Sequence, residues 1–185
     1  PLFLLIGKKM AEQIQEEQEP QNVMADEAKE QQEAYEGDVG INSILDETFA
    51  GMVVAAREDY AKTRFRVTKD MTYDSEGLAF NGFVYTAASW AAQVAINKEY
   101  QISVASKVNF LSPVKIGDFI DFEANAFFSE SKKQDVRVVG SVNEVRVFEG
   151  TFSIILLEDH ILRIQKRQLD KQARESRELR AKLKQ

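Results

Sequence analysis

Residues 82–97 read Gly82-Phe83-Val84-Tyr85-Thr86-Ala87-Ala88-Ser89-Trp90-Ala91-Ala92-Gln93-Val94-Ala95-Ile96-Asn97. Apart from the opening glycine, nothing in this stretch breaks a helix, and it is long enough for four turns. Phe83, Val84, Tyr85, Ala87, Ala88, Trp90, Ala91, Val94 and Ile96 cover nearly the whole circumference. A helix that is apolar all round belongs in a core. Its polar residues Thr86, Ser89, Gln93 and Asn97 follow at intervals of three, four and four, which lines them along one stripe. The many alanines allow a sheet to approach closely. The prediction is a buried central helix over residues 82–97.

Downstream of that helix only strand patterns occur. Ile102, Val104, Val108 and Phe110 alternate with polar or small residues. Pro113 and Gly117-Asp118 punctuate the chain, and Ile120, Phe122, Ala124, Ala126 and Phe128 share a face. Val136 to Val142 and Val145 to Leu157 are two more strands, joined at Asn143-Glu144. Upstream, Val39 to Phe49 reads as a short helix capped by Asn42 or Ser43. Met52 to Arg57 and Lys62 to Val67 read as strands around Glu58-Asp59-Tyr60, and residues 68–81 as a loop. The third, fourth and fifth strands are expected to form an antiparallel meander wrapping the helix. The class is therefore α+β.

Charge divides the 185 residues into three parts. Residues 1–40 hold three bases and ten acids, and residues 160–185 hold nine bases and three acids. The expected organisation is an acidic tail over 1–38, disordered or weakly helical, a compact domain over 39–159, and a basic helix over 160–185. That last helix offers a surface for an acidic partner. The overall net charge of −6 argues against a nucleic-acid binder.

The chain has no cysteine and a single histidine, His160. This excludes disulfides, Cys-ligated metal centres and thiol catalysis, so no metal site is expected. A lone histidine reads as a surface or capping residue. The run Leu2 to Ile6 is far short of a membrane span, and its lysines, Lys8 and Lys9, come after it rather than before, unlike a signal peptide. The expected compartment is the cytoplasm.

The order of elements, with an alanine-rich helix opening at Asn81-Gly82, resembles the hot-dog fold. So does Val108-Asn109-Phe110-Leu111-Ser112-Pro113-Val114-Lys115-Ile116-Gly117-Asp118, which is similar to a family strand ending in Pro-Val-x-x-Gly-Asp. Glu149-Gly150-Thr151-Phe152 is a weaker match. The resemblance covers about residues 50–158. It is closest in character to the non-catalytic acyl-CoA-sensing members, and the tails resemble a flagella-co-regulated virulence branch of epsilon-class bacteria.

The resemblance implies a homodimer that binds a CoA thioester at the subunit interface, with no other cofactor. The thioester carbonyl would meet the helix N-terminus, where unpaired amides favour negative charge. The donors would be the backbone N–H groups of Gly82 and Phe83. Asn81, Thr86, Ser89, Val108, Asn109 and Phe110 would line the site, and Lys132 and Lys133 would meet the CoA phosphates.

Catalysis is a different matter. In the thioesterase branch a His-Gly-Gly opening precedes the helix, and a carboxylate follows two turns in. Here Phe80 and Ser89 stand at those positions. No Asp or Glu occurs between Glu76 and Glu99. Asn81 and Ser89 are the remaining catalytic candidates, and Asp74 and Glu76 the only nearby carboxylates. The expected function is a CoA-thioester sensor or accessory factor. An atypical thioesterase and an interaction scaffold are the alternatives.

Overall fold

The computed structural model describes residue 41, residues 45–127 and residues 131–182. The expected acidic tail lies outside the described residues, as do Asn42 and Ser43. The chain enters the fold through a single helical turn, α1 (Glu47–Ala50), capped by Asp46, whose Oδ1 accepts the Thr48 N–H at 2.8 Å. Within the described part of the expected Val39–Phe49 helix, Leu45 and Asp46 are not helical, and Asp46 supplies the cap.

Strands β1 (Met52–Arg57) and β2 (Tyr60–Arg66) form a hairpin. A 3-10 turn (Lys69–Met71) then leads to the central helix α2 (Asn81–Ile96). Asn97 closes that helix in the left-handed conformation, its N–H donating to Gln93 O. Four long strands follow: β3 (Gln101–Phe110), β4 (Phe119–Phe127), β5 (Lys133–Val142) and β6 (Val145–Leu156). The chain continues into α3 (Ile161–Lys182).

The sheet is antiparallel, in the order β1-β2-β4-β5-β6-β3. The meander therefore runs through β4, β5 and β6, and the expected β3–β4 pairing does not occur. Residues 111–118 carry the chain from one side of the sheet to the other. The separation of three strand spacings, roughly 14 Å, is within reach of eight residues. Asn143 and Glu144 both have positive φ, as a tight two-residue hairpin demands, which sets the β5–β6 register. Arg64 and Asp121 face each other across β2 and β4 with bonds of 2.7 and 3.0 Å.

Alternation along the strands turns Phe65, Ile120, Phe122, Val136, Val138, Phe148, Phe152 and Ile154 inward, all fully buried. They meet Val84, Ala87, Ala88, Ala91, Ala92, Val94 and Ala95 of α2. The helix packs chiefly on β2, β4 and β5. Its small side chains are what let the sheet curve around it. The helix is not covered all round, however. Thr86, Ser89, Gln93 and Asn97 are only half-buried and Tyr85 is exposed, so the polar stripe marks the side that the sheet leaves open.

Candidate functional site

The N-terminus of α2 opens into a pocket of about 550 Å³. Tyr73, Leu78, Ala79 and Phe80 of the preceding loop form one wall, and Asn81 stands at the helix end. Phe110, Leu111, Ser112 and Pro113, where β3 ends, form the other. Backbone bonds lock the two walls together. Ala79 N–H donates to Val114 O at 2.8 Å, and Ile116 N–H to Gly77 O at 2.8 Å. Phe80 N–H donates to Met71 O at 2.8 Å, and Leu111 N–H to Val147 O at 2.8 Å.

The Pro-Val-x-x-Gly-Asp run is explained by this architecture. Gly117 takes a positive φ of 87°, and Asp118 Oδ2 accepts the Lys115 N–H at 2.9 Å. Gly117 N–H and Asp118 O then bond Val67 at the end of β2, each at 2.9 Å. The motif is a structural clasp beneath the pocket. Asp74 is likewise occupied, its Oδ1 accepting the Leu78 N–H at 2.9 Å.

Phe80 holds the N-cap position, and its side chain supplies no capping oxygen. The N–H groups of Asn81 and Gly82 therefore donate to no described residue, whereas Phe83 N–H donates to Phe80 O at 3.0 Å. Of the two expected backbone donors, Gly82 is open and Phe83 is spent. Asn81 takes its place. Both open amides sit where the helix dipole favours negative charge. The Phe83 ring packs on Phe49 and Phe80, at 6.2 and 6.3 Å between centroids.

The other expected site residues fall into three groups. Phe110 lines the pocket, and Val108 points inward beside it and packs on the core. Asn109 points to the outer face of the sheet, where its Nδ2 donates to Glu149 Oε1 at 3.2 Å. Thr86 Oγ1 donates to Gly82 O at 2.9 Å, so its hydroxyl is committed to the helix. Ser89 lies two turns beyond Asn81, half-buried on the open stripe.

Lys132 and Lys133 are not brought to the pocket within one chain. They flank the start of β5, beside Leu156 and Ile155, and Leu156 pairs with Gln101 at the start of β3. The pocket lies at the other end of that strand, nine residues and roughly 30 Å away. Lys132 Nζ meets Glu158 at 3.1 Å, with both side chains exposed. A smaller hollow of about 260 Å³ occupies this far end, between Arg57, Glu58, Asp59, Asn97, Lys98 and Gln134.

The pocket lining offers an amide, a phenol, a hydroxyl and apolar surface. It includes no carboxylate, imidazole or cation. Such a site can polarise and enclose a carbonyl, and Tyr73 is the one titratable side chain in its lining. Tyr73, Leu78, Phe80 and Leu111 were not anticipated from the sequence. They sit on connections that have no periodicity, and large apolar side chains within a connection are the one signal that marks them. His160 acts as a cap: its Nδ1 accepts the Leu162 N–H at 3.3 Å. No helix among the described residues is long and apolar enough to cross a membrane.

No protein-family model matches the chain. It is 34 % identical over 128 residues to methylthioribose-1-phosphate isomerase of Aquifex aeolicus (strain VF5), a match covering 69 % of this chain and 27 % of that protein. It is 24 % identical over 109 residues to transcription factor FapR of Shouchella clausii (strain KSM-K16), covering 59 % and 57 %. The chain thus spans between about a quarter and just over half of these curated relatives. Among solved structures, a hypothetical thioesterase of Streptococcus pneumoniae TIGR4 with coenzyme A has the same fold. Its TM-score is 0.54 at 14 % identity, over 58 % of this chain and 86 % of that one. Cj0977, a sigma28-regulated virulence protein of Campylobacter jejuni, is 40 % identical with a TM-score of 0.63, over 64 % of this chain. With that identity extending over 84 % of Cj0977, and with the six-stranded antiparallel sheet around α2, this chain belongs to the hot-dog-fold family that includes the Campylobacter protein.

Proposed function

We propose that the protein is a homodimeric CoA-thioester-binding hot-dog protein that does not turn its ligand over efficiently. It would act as a sensor or accessory factor in the cytoplasm, tied to motility or virulence. One observation carries this reading: the pocket at the N-terminus of α2 is lined by Asn81, whose N–H, like that of the next residue Gly82, donates to no described residue, and its lining includes no carboxylate, imidazole or cation. The amides suit a thioester carbonyl, and the apolar walls suit an acyl group. The lining also disfavours an acyl chain that ends in a carboxylate, because a buried unpaired charge is costly. The coenzyme A in the Streptococcus thioesterase and the virulence role in the name of Cj0977 agree with it.

The dimer rests on β3. It is an edge strand of ten residues, exposed over much of its length, and Val104 is 49 % exposed. Exposed edges of this length invite pairing. Antiparallel pairing of β3 with its copy sets the start of one strand beside the end of the other. The partner's β5 would then lie three strand spacings, about 14 Å, from the pocket end of β3, instead of roughly 30 Å within one chain. Lys132 and Lys133 would in that arrangement serve the phosphates of a ligand held in the other subunit's pocket.

The test is a calorimetric titration of the purified protein with CoA and with acetyl-, butyryl-, octanoyl- and malonyl-CoA, with thiol release followed in parallel. Saturable binding of the uncharged thioesters without thiol release is the expected result. Release abolished by Asn81→Ala or Ser89→Ala would make the protein a thioesterase. No binding of any thioester would leave a scaffold role.

A further inference from the structure

The C-terminal helix carries a surface that the pocket does not explain. Its beginning is tied to the body. Asp159 meets Arg163 at 2.6 Å and Arg167 at 2.8 Å, and the Arg163 guanidinium lies 5.5 Å from the centre of the Tyr100 ring. Apart from half-buried Ile164, every described side chain of α3 is exposed, including Leu162 at 65 % and Leu169 at 58 %. A helix in water owes most of its stability to an amphipathic face packed on something. This one has no described neighbour along most of its length.

Its sequence says what fits there. Leu162, Leu169 and Ser176 recur at an interval of seven. Gln165, Gln172 and Leu179 recur at the same interval, offset by three. These are the a and d rows of a two-stranded coiled coil. None of the nine bases and three acids in residues 160–185 falls in either row. The flanking charges also choose an orientation. Glu175 takes a g position and Arg180 the e position five residues on, so a parallel pair sets Glu175 against Arg180 of the partner subunit, twice by symmetry. No like charges then face each other across the seam. Antiparallel pairing of the same rows sets Gln168 against Glu175 and Lys166 against Ala173, with no opposite-charge pair.

We propose that α3 is a self-association element that pairs in parallel with α3 of a second copy along the Leu162–Leu169 seam. A membrane is the weaker fit, because half of the uncharged face is glutamine and serine, and no aromatic residue anchors it. The seam is short and rich in glutamine, and antiparallel β3 pairing would set the two Tyr100 anchors of α3 at opposite ends of the strand pair, so the partner α3 belongs to a copy outside that pair. On the outer face Arg163 and Arg167 are held by Asp159, which leaves Arg174 and Arg177 for an acidic partner. The proposal does not depend on what the pocket binds.

The sequence contains no cysteine, which makes a direct test available. Leu169→Cys lies in the seam and Arg174→Cys on the opposite face of the same helix. Each variant of the 185-residue chain is oxidised mildly and run on a non-reducing gel. The expected result is a disulfide-linked dimer from Leu169→Cys, forming at least 10-fold faster than from Arg174→Cys. Equal rates, or no cross-link through residue 169, would overturn the proposal. Flotation with phosphatidylglycerol vesicles is the second measurement: no binding is expected, and binding lost in Leu169→Asp would assign the face to a membrane instead.

Discussion

The ring of Phe80 lies directly over Gly82: a Cβ at position 82 would come 2.5 Å from Cε1 and 2.9 Å from Cδ1 of that ring. Glycine here does not serve a special backbone angle. It leaves room for an aromatic wall of the pocket to fold against the helix end. Phe80 is 55 % exposed, so it can swing outward when crowded. Gly82→Ala should therefore fold with unchanged or slightly raised stability, since alanine exceeds glycine in a helix by up to about 1 kcal/mol. The displaced ring and the new methyl group narrow the approach to the open amides. Affinity for butyryl-CoA should fall at least 10-fold while the thermal midpoint holds. Unchanged affinity would remove the ligand from this end of the helix.

Thr63 offers a stability prediction of opposite sign to most core changes. It sits inside β2, opposite Phe122, completely buried, and its Oγ1 has no hydrogen-bond partner among the described residues. An unpaired buried hydroxyl costs on the order of 1–3 kcal/mol of desolvation. Thr63→Val keeps the shape and removes the hydroxyl. Urea unfolding should show a gain of about 1 kcal/mol with an unchanged m-value. A loss instead would mean that the hydroxyl is satisfied, for example by a buried water.

The central helix was legible to within one residue, because sixteen residues of near-continuous apolar character have few other solutions. Strand positions were nearly as legible, since period-two alternation is written locally. The place of β3 was not. Its pairing with β6 joins residues about fifty apart, and alternation says which face a residue takes, not which strand lies beside it. The same distinction governs the site. Asn81 and Gly82 could be read from the helix opening. Tyr73 and Leu111 could not, since loop residues meet only after the sheet has brought Val114 to Ala79. Asn109 was expected in the site through the family resemblance, whereas the alternation that turns Val108 and Phe110 inward sets it on the other face, beside Glu149. Lys132 and Lys133 are exposed, and a sequence cannot say at which end of a sheet they lie.

The junction of β6 and α3 should respond to acid. The hydrogen bond from Arg163, helped by the His160 backbone N–H, holds the Asp159 carboxyl below its ordinary value of 3.8. A carboxylate whose pKa is depressed on folding contributes above its unfolded value, and the contribution fades as pH falls through the folded value. The tie between Asp159, Arg163 and Arg167 is thus intact at neutral pH and weakens below about pH 4. Hydrogen exchange at the first turn of α3 should accelerate there, relative to the core strands. Asp159→Asn should reproduce the faster exchange at pH 7. An unchanged pattern in that variant would show that other contacts hold the helix start.

Val104 tests the dimer. It is the extra residue of a bulge in β3, between Ser103 and Ala105 in the register with β6, and it is half-exposed at the sheet edge. It lies near the middle of a ten-residue strand, so antiparallel pairing with a second copy would bring the two Val104 side chains close to the symmetry axis. Val104→Lys places two like charges there, a device that edge strands use against pairing. The folded monomer should tolerate it, because the site is open in a single chain. Sedimentation equilibrium should show the dimer weakened at least 10-fold, with partial recovery at high salt as the charges are screened. Binding of the CoA thioester should weaken in parallel, since the lysines of the partner subunit are lost with the interface. If the dimer persists unchanged, the copies meet elsewhere and the pocket is completed by a single chain; if the dimer dissociates and binding is retained, Lys132 and Lys133 have no part in the site.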